Sequence, residues 1–123
     1  KKTRHQTTWD FQKCLIRKNS AFMSIILDKK SKKMVGCGFF QYSKRSAIYA
    51  VGAYDRTLFS KPLGHVVQWN AIKYMKKLAL HDYYIGRYFT KADEPEPTKK
   101  ELDISLFKKG FTKDICMSLL ITV

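Results

Sequence analysis

The sequence predicts an α/β (α+β) fold in which an antiparallel meander leads through a crossover helix to a parallel strand, giving a mixed sheet with helices on both faces. Three observations carry this. Strand-like runs at Ala21–Asp28, Met34–Tyr42 and Ser46–Tyr54 are joined only by the short polar stretches "KKSKK" and "SKR", as consecutive antiparallel strands are. A long helical pattern beginning at Pro62 then separates the third run from a fourth strand candidate, Asp82–Phe89. Apolar residues make up 45% of the 123 positions and aromatics 14%, which supplies a core and excludes a disordered chain.

The elements follow in order. "TWDFQKCLIRK", Thr8–Lys18, opens on a capping-type Thr and places Phe11, Leu15 and Lys18 at helical spacing, so it reads as a short amphipathic helix. In the third strand Ala47, Tyr49, Val51 and Ala53 alternate with Ile48, Ala50 and Gly52; both faces are apolar, which predicts an interior strand covered on each side. Pro62, a favoured first helical residue, leads into "LGHVVQWNAIKYMKKLAL", where Val67, Ala71, Tyr74 and Leu78 make the stripe that packs on the sheet and His65, Lys73 and Lys76 lie opposite. A helix between two strands implies a right-handed crossover to a parallel neighbour. "TKADEPEP", Thr90–Pro97, reads as an acidic loop. Thr98 and Glu101 form a T-x-x-E capping box for a helix running to about Lys109, with Gly110 placed as a left-handed C-cap. "ICMSLLITV", Ile115–Val123, reads as a closing buried strand.

The length fits one domain over residues 1–123, since about 100–150 residues is the usual size. The start at Lys1, without Met, points to a fragment or a processed chain of a longer protein. The formal net charge is +14, and it is uneven: residues 1–92 carry 19 Lys/Arg against 4 Asp/Glu, residues 93–123 carry 5 against 6. A field of one sign on that scale favours an anionic partner such as RNA, DNA, acidic lipid or a polyphosphate ligand. Cys14, Cys37 and Cys116 are far apart, with no C-x-x-C and no His at metal spacing, so neither zinc nor a disulfide framework is expected and a reducing, cytoplasmic compartment fits best. No apolar run approaches the roughly 18 residues of a membrane span.

The protease and phosphate-loop templates fail, because there is no G-x-S-x-G, no G-K-[ST] and no Cys with a nearby His. What remains is a polar cluster at the end of the interior strand, Tyr54, Asp55 and Arg56, and another at the start of the long helix, Lys61 and His65. Strand carboxyl ends and helix amino ends are where ligands gather in such sheets, because free N–H groups there favour anions. His65 has two open roles, general base or packing at the start of its helix. Asp55 also has two: orienting or deprotonating an acceptor, or pairing with Arg56 to begin a turn. Lys29, Lys30, Lys32, Lys33, Lys44 and Arg45 form the basic strips expected to meet a nucleic-acid backbone without reading bases.

From "YAVGAYDR" through "PLGHVVQWNAIKYMKKLALHDYYIGRYF" to "PTKKELDISLFKKGF", Tyr49–Phe111, the chain resembles the carboxyl-terminal half of FemABX-like transferases, a branch of the GNAT fold. The echoes are a helix of the form H-x-x-x-W-x-A-I-x-Y-x-K, a following Y-x-I-G strand and the closing F-K-x-G-F; half the chain carries them, and the meander before them fits the same GNAT-like mixed sheet. The resemblance implies transfer of an aminoacyl group from aminoacyl-tRNA to an amine, such as a peptide or a cell-wall precursor, with no cofactor and no metal because the ester is already activated. It implies a second such domain in tandem. It makes Lys108, in the F-K motif, a candidate to stabilise a tetrahedral intermediate or hold a phosphate, the alternative being charge at a helix C-terminus. Wheel geometry puts Lys108 on the Ile104 side and Lys109 on the Ser105 side, with Lys109 toward solvent. Tyr54, Arg56, Lys61 and Arg87 are the substrate-binding candidates; Arg87 stands where relatives continue with glycine. The chain lacks an R/Q-x-x-G-x-G/A pyrophosphate loop, which disfavours an acyl-CoA-dependent N-acetyltransferase, the second alternative. The first alternative is a silent module of the same fold within a ribonucleoprotein or larger assembly.

Overall fold

The computed structural model describes residues 4–112 and 114–116. Two compact units make up the chain, Lys1–Tyr84 and Ile85–Val123.

The first unit holds α1 (Gln6–Arg17), β1 (Ala21–Leu27), β2 (Met34–Ser43), β3 (Ser46–Tyr54), a 3-10 turn (Arg56–Leu58), α2 (Leu63–Lys77) and β4 (Asp82–Tyr84). The sheet order is β1-β2-β3-β4, antiparallel across the first two pairs and parallel between β3 and β4. The meander, the crossover and the mixed sheet are therefore as the sequence predicts. Its core is Phe40, Ala47, Val67, Ala71 and Met75, with Phe22, Tyr49, Tyr54 and Tyr83 packed against it.

The registers explain which side chains reach that core. Phe40 lies opposite Phe22 and Tyr49, so the three share the face that α2 covers, and Phe22 and Phe40 stack at 5.1 Å. A Cβ on Gly38 would stand 2.7 Å from Val67 Cγ1 and 2.8 Å from the Phe40 ring; the missing side chain is what lets α2 lie against β2. On the opposite face Leu15 of α1 lies with Gln41, Ile48 and Tyr84 along an open groove.

Several expectations change. α1 starts at Gln6 and is capped by the His5 side chain, which accepts from Thr7 N, so Thr8 is inside the helix rather than its cap; Phe11, expected on the packed face, is exposed. The α2 stripe is Val67, Ala71 and Met75, with Tyr74 at its margin against the edge of Phe22. Pro62 is the N-cap and not the first helical residue. β3 is interior, but its alternation breaks: Phe39 pairs with Val51 and Phe40 with Tyr49, leaving Ala50 as an extra residue. Tyr49 and Tyr54 consequently share the α2 face, and Ile48 and Ala50 are exposed. β4 is only Asp82–Tyr84, shorter than the run to Phe89.

Both helices of this unit end in a Schellman arrangement without glycine. Ser20 N donates to Leu15 O and Asn19 N to Ile16 O, with Asn19 at φ 53; Leu80 N donates to Met75 O and Ala79 N to Lys76 O, with Ala79 at φ 55.

In the second unit α3 (Lys99–Lys109) begins with the expected capping box, Thr98 accepting from Glu101 N and Glu101 accepting from Thr98 N. Gly110 has φ −64, so the helix does not end through a left-handed glycine; its last turn tightens instead, with Phe111 N donating to Lys108 O. Ile115 and Cys116 carry no strand, and the rest of the expected closing strand lies outside the described residues.

Candidate functional site

β3 and β4 pair only between Ser46–Ile48 and Asp82–Tyr84. From Tyr49 to Tyr54, β3 keeps β2 on one side and has no ladder partner on the other among the described residues. An interior strand thus carries an open edge over its second half. Backbone N–H and C=O groups left there need a partner of extended shape. The bulge at Ala50 falls at the start of this stretch and re-aims the groups around it.

The α2 side of the open stretch is lined by phenols. Tyr49 and Tyr54 hydroxyls are 3.1 Å apart, and a Cβ on Gly52 would fall 1.9 Å from Tyr49 Oη, so only a glycine leaves room for that hydroxyl over the backbone. Tyr83 donates to Oε1 of Gln68, a fully buried side chain of α2 whose Nε2 has no hydrogen-bond partner among the described residues. Burial raises the phenols of Tyr49, Tyr54 and Tyr83 above the ordinary tyrosine value, Tyr54 and Tyr83 the most; for Tyr54 the bond to Tyr49 adds to this. They remain protonated donors through neutral pH. Of this group the sequence reading includes only Tyr54, because strict alternation puts Tyr49 beside Val51 and the bulge that moves it leaves no mark in the sequence.

At the carboxyl end of β3, Tyr54 and Asp55 make separate contacts, Tyr54 with Tyr49 and Asp55 with the turn that follows it. Asp55 N donates to Val35 O, and the Asp55 carboxylate accepts from Thr57 N at 2.9 Å and Thr57 Oγ1 at 2.7 Å, capping the 3-10 turn. Those two bonds hold its pKa below the ordinary carboxylate value, which suits a turn cap better than a general base. Of its two open roles the turn is what the geometry supports, through Thr57 and not Arg56. Arg56 and Lys61 are exposed on the loop, and His65 is exposed in the first turn of α2. No side chain caps that helix.

The basic residues divide between the two ends of the sheet. Lys29, Lys30, Lys32 and Lys33 lie in the β1–β2 turn, whose Asp28 accepts from Lys30 N, Ser31 N and Ser31 Oγ. β2 leaves this turn beside the end of β3, where Gly36 pairs with Tyr54 and Asp55 N donates to Val35 O, so the turn and the β3–α2 loop lie at the same end of the sheet. Lys44 and Arg45 form the β2–β3 turn at the far end, ten residues of β2 away or about 30 Å.

Within the second unit Lys108 and Arg87 are brought together. Lys108 Nζ donates to Arg87 O at 2.8 Å and stands where a Cβ on Gly86, at φ 109, would meet it at 3.0 Å. Burial lowers the Lys108 pKa. Lys109 is exposed, as expected, but the reason differs: Ser105 and not Ile104 is the buried residue of α3, its Oγ accepting from Phe89 N and donating to Glu101 O. The Arg87 guanidinium lies 4.5 Å over the Phe89 ring and 3.8 Å from Asp93, which shifts it from a free substrate ligand toward a loop tie. Among the described residues no cluster of His, Cys, Asp or Glu could hold a metal, the cysteines are unpaired, and no helix is long and apolar enough to cross a membrane.

An interior strand that parts from its parallel neighbour behind an antiparallel meander is the arrangement of the GNAT acetyltransferase fold, and the chain has that fold. It is similar to an acetyltransferase from Trypanosoma brucei (TM-score 0.64, 7% identity, 99% of this chain and 82% of that one). It is also similar to glucosamine-6-phosphate N-acetyltransferase from Arabidopsis thaliana (0.64, 11%, 99% and 81%). A third likeness is to an aminoglycoside acetyltransferase from an uncultured soil metagenomic sample, in complex with sisomicin (0.63, 14%, 100% and 78%). No protein-family model matches the chain, and no curated protein matches it in sequence.

Proposed function

We propose that the protein is an acyltransferase that moves an aminoacyl group from an RNA-linked ester to an amine. The observation that carries this is the open edge of β3 from Tyr49 to Tyr54. A donor arm laid along that edge would meet main-chain N–H and C=O groups as a strand does. An N–H aimed at the ester carbonyl stabilises the negative charge that grows on its oxygen, a contribution of about 3 kcal/mol for one well-placed donor.

In the reaction the amine nitrogen attacks the ester carbon, a C–N bond forms, and the C–O bond to the ribose breaks. The amine gives up a proton and the ribose oxygen takes one. His65 is the side chain of the cluster suited to the first transfer. Lys108, committed to Arg87 O, acts by holding the backbone at Gly86 and Arg87. The size of the basic excess is what favours RNA as the carrier of the ester, together with the missing pyrophosphate loop.

A second reading, an acyl-CoA-dependent N-acetyltransferase, is favoured by the likeness to acetyltransferases. One assay separates them. The purified chain is given a peptide amine with either a pool of radiolabelled aminoacyl-tRNA or labelled acetyl-CoA. Labelled amide from the tRNA arm alone is expected, reduced at least tenfold by His65→Ala. Product from acetyl-CoA alone transfers the assignment to the second reading, and product from neither overturns both.

A further inference from the structure

We propose that the end of the sheet built by the Lys29–Lys33 turn and the Arg56–Lys61 loop is a docking surface for single-stranded RNA, with phosphates on the cations and a base stacked on Phe59. The inference rests on the RNA-linked donor, whose RNA arm it places; its binding test requires no transfer.

The turn that carries the cations is held in place, and the carboxylates of its own unit are engaged elsewhere. Three donors converge on Asp28 Oδ2, Asp28 N donates to Lys33 O and Lys32 N to Asp28 O, so the turn is held from inside while its four lysines point outward and are exposed. Lys1–Tyr84 contains only four carboxylates. Asp10 is taken by Lys13 and Gln6, Asp28 by its own turn and Asp55 by Thr57, while Asp82 lies beside the far turn at Lys44 and Arg45. Arg56 and Lys61, on the loop that leaves β3 at the same end of the sheet, are exposed and extend this surface.

Phe59 decides the kind of polyanion. In sequence it stands between Arg56 and Lys61, and it is 68% exposed, a large apolar ring on a basic loop. Phosphate binding alone has no use for such a ring. A single strand does, because its unstacked bases offer π-faces to aromatic side chains while its backbone follows the cations. A duplex keeps its bases stacked on one another and offers no such face. The surface adjoins the carboxyl end of β3, so a strand seated on it leads its end to the open edge at Tyr49–Tyr54. Lys44 and Arg45, at the other end of β2, fall outside it.

The probe is a 5′-fluorescein-labelled 12-nucleotide single-stranded RNA, read by anisotropy over a salt series with the whole chain. Wild-type protein is expected to give a log–log salt slope of about −3, from four or five contacts at about −0.7 each. Replacing Lys29, Lys30, Lys32 and Lys33 together by Ala flattens that slope by about 2–3 and weakens binding at least tenfold. Phe59→Ala weakens it by about tenfold with the slope unchanged, which marks stacking rather than charge. Lys44→Ala with Arg45→Ala changes affinity less than about twofold, since about 30 Å separates them from the surface. Wild-type affinity in Phe59→Ala, or an equal loss in the Lys44 and Arg45 pair, overturns the proposal. So does binding to phosphatidylserine vesicles without binding to the RNA. RNA binding with the expected pattern but no aminoacyl transfer overturns the donor reading and leaves the surface standing. Transfer with an unchanged KM for tRNA in the fourfold lysine variant does the reverse.

Discussion

Lys1–Tyr84 and Ile85–Val123 are held together by different forces, and they carry different charge. The first unit has 17 Lys/Arg against 4 Asp/Glu, the second 7 against 6. The first closes an apolar core, in which Phe40, Val67 and Ala71 are fully buried between sheet and helix. In the second, the buried residue of α3 is a serine, and the loop before the helix is tied by hydrogen bonds that Phe89 N donates to Ser105 Oγ, Thr90 N donates to Asp93 and Lys108 Nζ donates to Arg87 O. A self-repelling surface is tolerated where apolar burial dominates, as in the first unit, whereas the charges of the second are nearly balanced. The excess of cations is thus available for a partner on the first unit alone.

The largest effect that would sharpen this contrast is the loss of the central ring. Phe40→Ala is expected to cost about 3–5 kcal/mol in chemical denaturation, because both a buried side chain and its packing on Phe22 and Tyr49 are lost. A cost below about 1 kcal/mol would mean that the core is not what holds the first unit.

Acid should loosen the second unit first, because its lowered carboxylates hold α3 and the loop before it, whereas Asp28 and Asp55, lowered likewise, hold only turns outside the Phe40 core. Asp93 has its pKa lowered by Thr90, and Glu101 by Thr98, both through side-chain and backbone hydrogen bonds. A carboxylate with a lowered folded value stabilises above its unfolded value, near 4, and loses that contribution as pH falls through the folded one. Hydrogen exchange between pH 5 and pH 2 should therefore show α3 amides opening before those of β2 and β3. Simultaneous opening would erase the distinction between the units.

The smallest effect is a gain. Ala79 sits at φ 55, where an L side chain is strained by about 1 kcal/mol, so Ala79→Gly should stabilise the first unit by about 0.5–1 kcal/mol in the same titration. A loss would mean that unfolded-state entropy outweighs the strain.

Much of the fold was legible because its signals are local. Polar five- and three-residue stretches between β-rich runs mark the hairpins, and T-x-x-E starts α3 at Thr98. What was not legible depends on tertiary geometry. The Ala50 bulge reverses the facing of half of β3 without any change in composition, and with it the grouping of Tyr49, Tyr54 and Gln68. Asn19 and Ala79 do at helix ends what glycine would have announced, while Gly110, which announced it, does not. At the site, the place of Tyr54 and Asp55 at the end of β3 followed from the sequence, whereas their partners Tyr49 and Thr57 did not. Phe59 was hidden because an apolar residue in a loop reads as packing until its exposure is seen.

The central claim is that a donor lies along the free edge of β3. Hydrogen exchange at the amides of Tyr49–Tyr54, with and without saturating aminoacyl-tRNA, tests it most directly. Exchange is expected to slow there when the donor is present, while the already paired Ser46–Ile48 stretch is unchanged. Equal exchange at Tyr49–Tyr54 with and without donor, under conditions where the RNA is demonstrably bound, would contradict it.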